Sequence, residues 1–177
     1  MNKKVVSNKT LSYKSIVFWG IIALLTLSFI IAIIVRFVGS RTINSYDSLV
    51  ELKGDEIFDQ AEEKYIVYFY SSDEKYKTSV EAMEDIFFNY ATFQKRNSSN
   101  KEVLKAYVVD LADPENAKCL VFESTNNNLI VDKFSDLKIS DKSIPLMLVI
   151  ENGKAASNKK TESEIGSYLQ GIIDENK

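Results

Sequence analysis

The sequence predicts an α/β domain with a mixed sheet flanked by helices, preceded by one transmembrane helix. An uncharged run of twenty residues, 16–35, predicts the membrane helix. The remainder alternates strand and helix patterns in the order strand, helix, strand, helix, hairpin, helix. Residues 1–41 hold six of the 22 basic residues and none of the 25 acidic ones, which leaves a net charge of −9 on residues 42–177. The acidic part is therefore expected to be a separate unit.

The composition excludes several classes of site. The sequence contains no histidine and one cysteine, Cys119. Ser-His-Asp catalysis, imidazole metal sites, Cys-x-x-Cys zinc sites and internal disulfides each need residues that are missing here. No dense basic stripe favours nucleic-acid binding. We expect no metal, no cofactor and no nucleic-acid partner.

The uncharged run, Ile16 to Val35, matches a bilayer, because a helix rises about 1.5 Å per residue and the hydrocarbon core is roughly 30 Å thick. Four lysines precede it and two arginines follow, so the positive-inside bias predicts a cytoplasmic N-terminal segment, 1–15. A linker, 36–45, then leads to an extracytoplasmic domain, 46–177. This makes the chain a single-pass cell-membrane protein.

Two alternatives to an uncleaved anchor are weaker. A cleaved signal peptide has a shorter apolar region, about 7–15 residues, and ends in a small-x-small site that Val38-Gly39-Ser40 matches poorly. A buried helix of a soluble protein rarely lacks charge for so long.

The first half of the domain predicts a central strand followed by a helix. Residues 46–58 suggest one or two short amphipathic helices interrupted near Gly54. Residues 65–70 are apolar or aromatic without alternation, which is typical of a strand covered on both faces. An apolar stripe at helical spacing follows, and Ser71-x-x-Glu74 or Thr78-x-x-Glu81 could each form its capping box.

The second half predicts a strand, a short helix, a hairpin and a last helix. Residues 103–109 read as a strand and Asp113-Pro114 as a helix start, whereas 124–143 is polar and predicts a long insertion or irregular segment. The third strand, 146–150, is followed by Asn152-Gly153, a strong two-residue turn signal. Thr161-x-x-Glu164 caps the final helix.

This order, with Ile144-Pro145 before the hairpin and Glu151-Asn152-Gly153 inside it, resembles the thioredoxin fold. Residues 52–77, LKGDEIFDQAEEKYIVYFYSSDEKYK, resemble membrane-anchored thioredoxin-like proteins of Gram-positive bacteria. Where that family carries Cys-x-x-Cys, this chain reads Glu74-Lys75-Tyr76-Lys77. Thiol exchange needs one thiolate to attack a disulfide and a second thiol to resolve the mixed disulfide. The resemblance therefore implies a thioredoxin fold without dithiol oxidoreductase activity.

Two of the candidate reactive groups have simpler structural explanations. Glu74 and Lys77 could form an acid/base pair, but exposed pairs at this spacing usually stabilise a helix by only a few tenths of a kcal/mol. Glu74 is also the expected capping partner of Ser71. Cys119 is a candidate lone reactive thiol, although a lone cysteine on a short helix is more often a small buried hydrophobe.

The resemblance also implies a peptide-binding groove. Pro145 matches the family's cis-proline, which lies beside the active site; alternatively it simply starts an edge strand. Aromatic residues at the end of a strand, here Tyr68, Tyr70 and Tyr76, are mostly core or rim side chains. If Tyr76 is instead exposed beside Pro145, then Tyr70, Tyr76, Ile144 and Pro145 would line this groove at the carboxyl end of the sheet.

The favoured function is a membrane-tethered, redox-inactive accessory that binds a protein or peptide. One alternative is a thiol-disulfide oxidoreductase that uses Cys119 alone. The other is a structural subunit of a membrane complex, with contacts through the 124–143 insertion or the transmembrane helix.

Overall fold

A computed structural model describes residues 13–39, 42–122 and 126–177, which fall into two compact units divided between residues 41 and 42. The first unit contains helix α1, Tyr13–Gly39. Within the described ranges, its segment Tyr13–Arg36 is the one helix long and apolar enough to span a membrane by length and composition. Most of the predicted cytoplasmic segment, 1–12, lies outside the described residues, as do linker residues 40 and 41 and insertion residues 124 and 125.

The second unit is a four-stranded mixed sheet flanked by helices. Its helices and strands are, in chain order, β1 (Lys64–Tyr70), α2 (Lys77–Arg96), β2 (Lys105–Asp110), β3 (Leu120–Val121), β4 (Ile139–Ser140), β5 (Leu146–Glu151), β6 (Lys154–Lys159) and α3 (Glu162–Glu175). The main sheet has the order β2-β1-β5-β6, while β3 and β4 form a separate parallel pair. Strand β1 is parallel to β2 and antiparallel to β5, and β6 is antiparallel to β5. This order and these directions give the thioredoxin-like fold that the sequence resembles.

Strand β1 is central, as its continuous apolar pattern predicts. All of its residues except the first are buried. Successive side chains of a strand point to opposite faces of the sheet. Tyr68 stacks on Phe87 of α2 with 4.3 Å between ring centroids, and Tyr65 donates its hydroxyl to the Ile57 carbonyl at 3.0 Å on the other face. Both faces are therefore covered.

Helix α2 begins without either of the predicted capping boxes. A 3₁₀ turn, Glu74–Tyr76, precedes it, and Thr78 lies inside the helix rather than at its cap. The Ser71 hydroxyl accepts the Asp73 N–H at 3.3 Å, and the Ser72 N–H is held by the Asp110 carboxylate at 3.0 Å. Contact with the end of β2 therefore fixes this loop.

Residues 126–143, predicted to be part of a long insertion or irregular segment, contain only the two-residue strand β4 and short 3₁₀ turns, but they pack into the core. Five apolar side chains of this segment are buried in the core, namely Leu129, Val131, Phe134, Leu137 and Ile139. The Val131 carbonyl accepts the Ala155 N–H at 2.8 Å, which fastens the segment to β6. Its apolar residues are spaced by polar ones, so neither a helical nor a strand period reveals them. The helix expected near Asp113-Pro114 is a 3₁₀ turn, Asn116–Cys119.

The hairpin and the final helix form as predicted. Asn152 and Gly153 both have positive φ, 51° and 72°, which the tight turn between β5 and β6 requires. The Thr161 hydroxyl accepts the Glu164 N–H at 3.2 Å, and the Glu164 carboxylate accepts the Thr161 N–H at 3.2 Å. The Ile144-Pro145 peptide is cis, as the resemblance implies.

The second unit includes residues just before the predicted boundary at residue 46. Ile43 is buried, and its N–H donates to the Thr92 hydroxyl of α2 at 2.9 Å. Short 3₁₀ turns follow at Tyr46–Ser48 and Gly54–Phe58, where short amphipathic helices are expected.

Candidate functional site

The predicted site residues meet at one edge of the main sheet. Parallel strands β1 and β2 end there with the pair Tyr70 and Asp110. Strand β5 is antiparallel to β1 and begins at the same edge, where Leu146 pairs with Phe69. The loops 71–77 and 141–145 are therefore neighbours at the carboxyl end of β1, where open α/β folds bind ligands.

Glu74 and Lys77 form an ion pair on the surface. Lys77 Nζ lies 3.5 Å from Glu74 Oε1, and the Glu74 side chain is 87 % exposed. Water screens such a pair, and it contributes little to stability. Nothing in this environment prepares either group for proton transfer, which favours the structural explanation of the pair.

The four predicted groove residues lie at this edge but are buried. Tyr76 is 7 % exposed, and Tyr70, Ile144 and Pro145 are buried as well. An open groove lined by these side chains required an exposed Tyr76, whereas Tyr70 and Tyr76 have the buried positions of core or rim aromatics. Lys75 lies over the Tyr76 ring, and the Tyr46 ring stacks on Tyr70 with 3.9 Å between ring centroids.

Lys75 is the side chain that covers Tyr76. Its Nζ donates to the Tyr76 hydroxyl at 3.1 Å and to Asp141 Oδ2 at 3.0 Å. The same Nζ lies 4.7 Å from the centroid of the Tyr76 ring and 5.6 Å from that of Phe122. The hydrogen bonds to Tyr76 and Asp141 raise the pKa of Lys75 above its usual value. We call the cluster of Tyr76, Phe122 and Asp141 around this Nζ the cation site.

Phe122 and Asp141 are functional candidates that sequence reasoning missed. Phe122 is 61 % exposed, more than the other exposed large apolar side chains among the described residues of the second unit, Val50 and Ile130. The Asp141 side chain is 13 % exposed, and its Oδ1 is buried with no hydrogen-bond partner among the described residues. Both lie far from Lys75 in the sequence, so no local spacing predicts their contact. The single available signal was an aromatic residue directly before a polar segment.

Cys119 is buried and poorly reactive. It is 1 % exposed, and its thiol donates to the Asn116 carbonyl at 3.1 Å. Burial disfavours the charged form and raises the pKa of Cys119 to about 12. The thiolate is the nucleophile in disulfide exchange, so this environment suppresses the chemistry that the Cys119 alternative requires.

Within 13–39, 42–122 and 126–177, no three carboxylate or thiol side chains are grouped so that they could hold a metal ion. A cleft of about 1000 Å³ lies near the amino ends of β1 and β2, lined among others by Lys64, Glu102, Lys105 and Tyr168. None of the predicted site residues lines it.

The chain is similar to solved structures at low sequence identity. It shares 15 % identity with oxidized mitochondrial thioredoxin 3 from Saccharomyces cerevisiae, over 73 % of this chain and 97 % of that one, with a TM-score of 0.38. It shares 14 % identity with a candidate oxidoreductase with a thioredoxin fold, over 72 % and 96 % of the two chains, with a TM-score of 0.41. No protein-family model and no curated protein matches the sequence. Because these TM-scores are below 0.5, the fold assignment rests on the chain's own strand order and directions.

Proposed function

We propose that this chain is a membrane-tethered, extracytoplasmic thioredoxin-like protein that lacks the redox dithiol and binds a protein or peptide without chemical turnover. One observation carries the proposal. Glu74 and Lys77 lie exposed at the start of α2, where the related family carries its two cysteines, and the sequence's single cysteine is buried elsewhere. Carboxylate and ammonium groups cannot exchange disulfides.

The tether is supported by helix α1 and the charges around it. The segment Tyr13–Arg36 has the length and apolar character of a membrane span. Four lysines before the uncharged run and two arginines after it favour a cytoplasmic N-terminus and an exported second unit.

The binding role is supported by the surface at the carboxyl edge of β1. Exposed Phe122 lies there beside the loops 71–77 and 141–145. Aromatic side chains are enriched in protein interfaces, so an exposed Phe122 beside these loops fits a binding surface.

The proposed lack of redox activity is tested by an assay of disulfide reduction with the full chain in detergent micelles. Reduction of insulin by dithiothreitol is followed with the natural protein, a Cys119→Ser variant, and a variant carrying Glu74→Cys and Lys77→Cys. We expect the first two to be inactive and the double-cysteine variant to accelerate reduction, because a thiol at a helix N-terminus has a lowered pKa.

A matched control places the same spacing elsewhere on α2, with Glu81→Cys and Glu84→Cys. This pair lies away from the helix N-terminus and should not gain comparable activity. Turnover by the natural protein that Cys119→Ser abolishes would overturn the proposal in favour of a single-cysteine oxidoreductase.

The proposed binding of a peptide is tested by nuclear magnetic resonance titration of the same full chain with a mixture of extended peptides. Chemical-shift changes confined to loops 71–77 and 141–145 and to Phe122 are expected. Changes confined to α1 or to residues 126–140 would instead favour a structural subunit.

A further inference from the structure

An ammonium group already occupies the cation site. Lys75 Nζ lies within about 6 Å of two aromatic ring centroids, the range over which a cation is attracted to the face of a ring. It also donates to the Tyr76 hydroxyl and to one oxygen of the Asp141 carboxylate. Two rings, a hydroxyl and a carboxylate thus converge on one positive charge.

The site is not saturated by Lys75. Asp141 Oδ1 is buried and has no hydrogen-bond partner within the described part of the chain. An ammonium on a flexible stem is a compact charge, whereas a carboxylate has two oxygens that a planar guanidinium can engage together. Lys75 Nζ donates to one of the two oxygens, whereas the forked donors of a guanidinium can engage both, so the unpartnered oxygen favours a guanidinium over an ammonium.

Lys75 can be exchanged for another cation. Its side chain is more than half exposed and belongs to a short 3₁₀ turn. The Asp141 side chain is 13 % exposed, so water screens its contact with Lys75 only in part, and a cation that replaces Lys75 must restore the charge pair. Phe122 stays open to solvent beside it, so a second side chain can approach the ring.

We propose that the cation site of Tyr76, Phe122 and Asp141 binds an arginine side chain of the partner segment, and that Lys75 is an internal occupant which the arginine displaces. This rests on the proposed peptide-binding function and specifies its partner. The guanidinium stacks on Phe122 and donates to both oxygens of Asp141. A basic partner is attracted by the net charge of −9 on residues 42–177. It is also attracted by Asp73 and Glu74, which are both exposed in the same loop.

The test uses short peptides, acetylated at one end and amidated at the other, that differ at one central position: arginine, lysine, norleucine or glutamate. Binding to the full chain in detergent micelles is followed by the chemical shifts of Phe122 and Asp141. The arginine peptide should bind in a saturable way and more tightly than the lysine peptide, and the norleucine and glutamate peptides should not bind.

Lys75→Met is the decisive variant, because it removes the internal occupant. It should bind the arginine peptide about tenfold more tightly, the factor that roughly 1.4 kcal/mol of lost competition produces. Lys77→Met is the matched control, because it removes the same charge two residues away without opening the site. It should leave the affinity within about twofold of that of the natural protein, since exposed charges interact weakly. Asp141→Asn should abolish binding, and unchanged shifts outside these loops would show that the variant is folded.

Two outcomes separate this inference from the proposed function. Equal affinity for the arginine and norleucine peptides, or a Lys75→Met variant that binds no more tightly than Lys77→Met, would overturn the cation site and leave peptide binding standing. Absence of binding by every peptide to every variant would overturn both.

Discussion

At the scale of single residues, Asn116 joins three loops through one fully buried amide. Its side-chain oxygen accepts the Gly54 N–H at 3.1 Å, and its nitrogen donates to the carbonyls of Asp110 at 3.1 Å and Leu52 at 3.3 Å. Buried polar side chains are stable when their hydrogen bonds are complete. Asn116 therefore has a structural role, although its position beside Cys119 could suggest chemistry.

Asn116→Ala should lower the free energy of unfolding by about 3 kcal/mol, because it leaves one N–H and two carbonyls without partners in the interior. Urea unfolding of the full chain in micelles, followed by near-ultraviolet circular dichroism, measures the change. Asn89→Ala, at an exposed position of α2, is the control and should change stability by no more than about 0.5 kcal/mol. Equal effects of the two substitutions would contradict the assignment.

Cys119 should resist alkylation in the folded protein at pH 8.5, where an unperturbed thiol is about half ionised. Burial keeps this thiol neutral, and its pKa of about 12 leaves almost no thiolate. Labelling with iodoacetamide should therefore be slow in buffer and fast in urea. Fast labelling without denaturant would reopen the reactive-thiol hypothesis.

At the scale of elements, helix α3 starts at a complete capping box, whereas the similar pattern at Thr78 and Glu81 lies inside α2. Thr161→Ala should thus destabilise the protein by about 1 kcal/mol, since the Glu164 N–H loses its acceptor. Thr78→Ala should be neutral or slightly stabilising, because alanine is the better helix former. The pair of denaturation midpoints tests the assignment, and a larger loss at Thr78 would refute it.

The same capping box gives the protein a dependence on acid. The N–H groups of Lys160 and Thr161 donate to the Glu164 carboxylate and lower its pKa. Because the pKa of Glu164 is lower in the folded state, its stabilising effect is present above the pKa of the unfolded state, about 4.3. The effect is lost as the pH falls through the pKa of the folded state. Glu164→Gln should therefore reduce the loss of stability between pH 7 and pH 3, as measured by urea midpoints. An unchanged difference would show that Glu164 does not contribute.

Local signals explain which elements the sequence predicts correctly. The turn at Asn152-Gly153 and the cap at Thr161 depend on residues within three positions of one another, so the sequence reveals them. The start of α2 depends on Asp110 at the end of β2, and the core of residues 126–143 depends on β6. The contact between Lys75 and Asp141 is likewise set by the fold. The sequence alone therefore does not predict that Asp141 lies in the cation site beside Lys75; this requires the pairing of the strands.

At the scale of the whole molecule, charge is divided between the two parts of the chain. Residues 1–41 carry six basic residues and no acidic one, and the net charge of residues 42–177 is −9. Basic residues near a membrane span favour the cytoplasmic side, whereas acidic residues have little influence on orientation. The proposed orientation therefore depends on four lysines outweighing two arginines.

Replacing Lys3, Lys4, Lys9 and Lys14 by glutamine should reverse the orientation of a fraction of the molecules, because Arg36 and Arg41 then hold the only basic charges close to the span. Orientation is measured in intact cells with a membrane-impermeant maleimide and a Cys119→Ser background carrying Glu81→Cys, an exposed position of α2. Labelling should be nearly complete with the natural lysines and should fall when they are replaced. Arg36→Gln with Arg41→Gln is the control, because it strengthens the same bias and should keep labelling high. Protection of the second unit from the reagent with all four lysines in place would show that this unit lies in the cytoplasm. A partner that brings an arginine to Asp141 would then also have to be cytoplasmic.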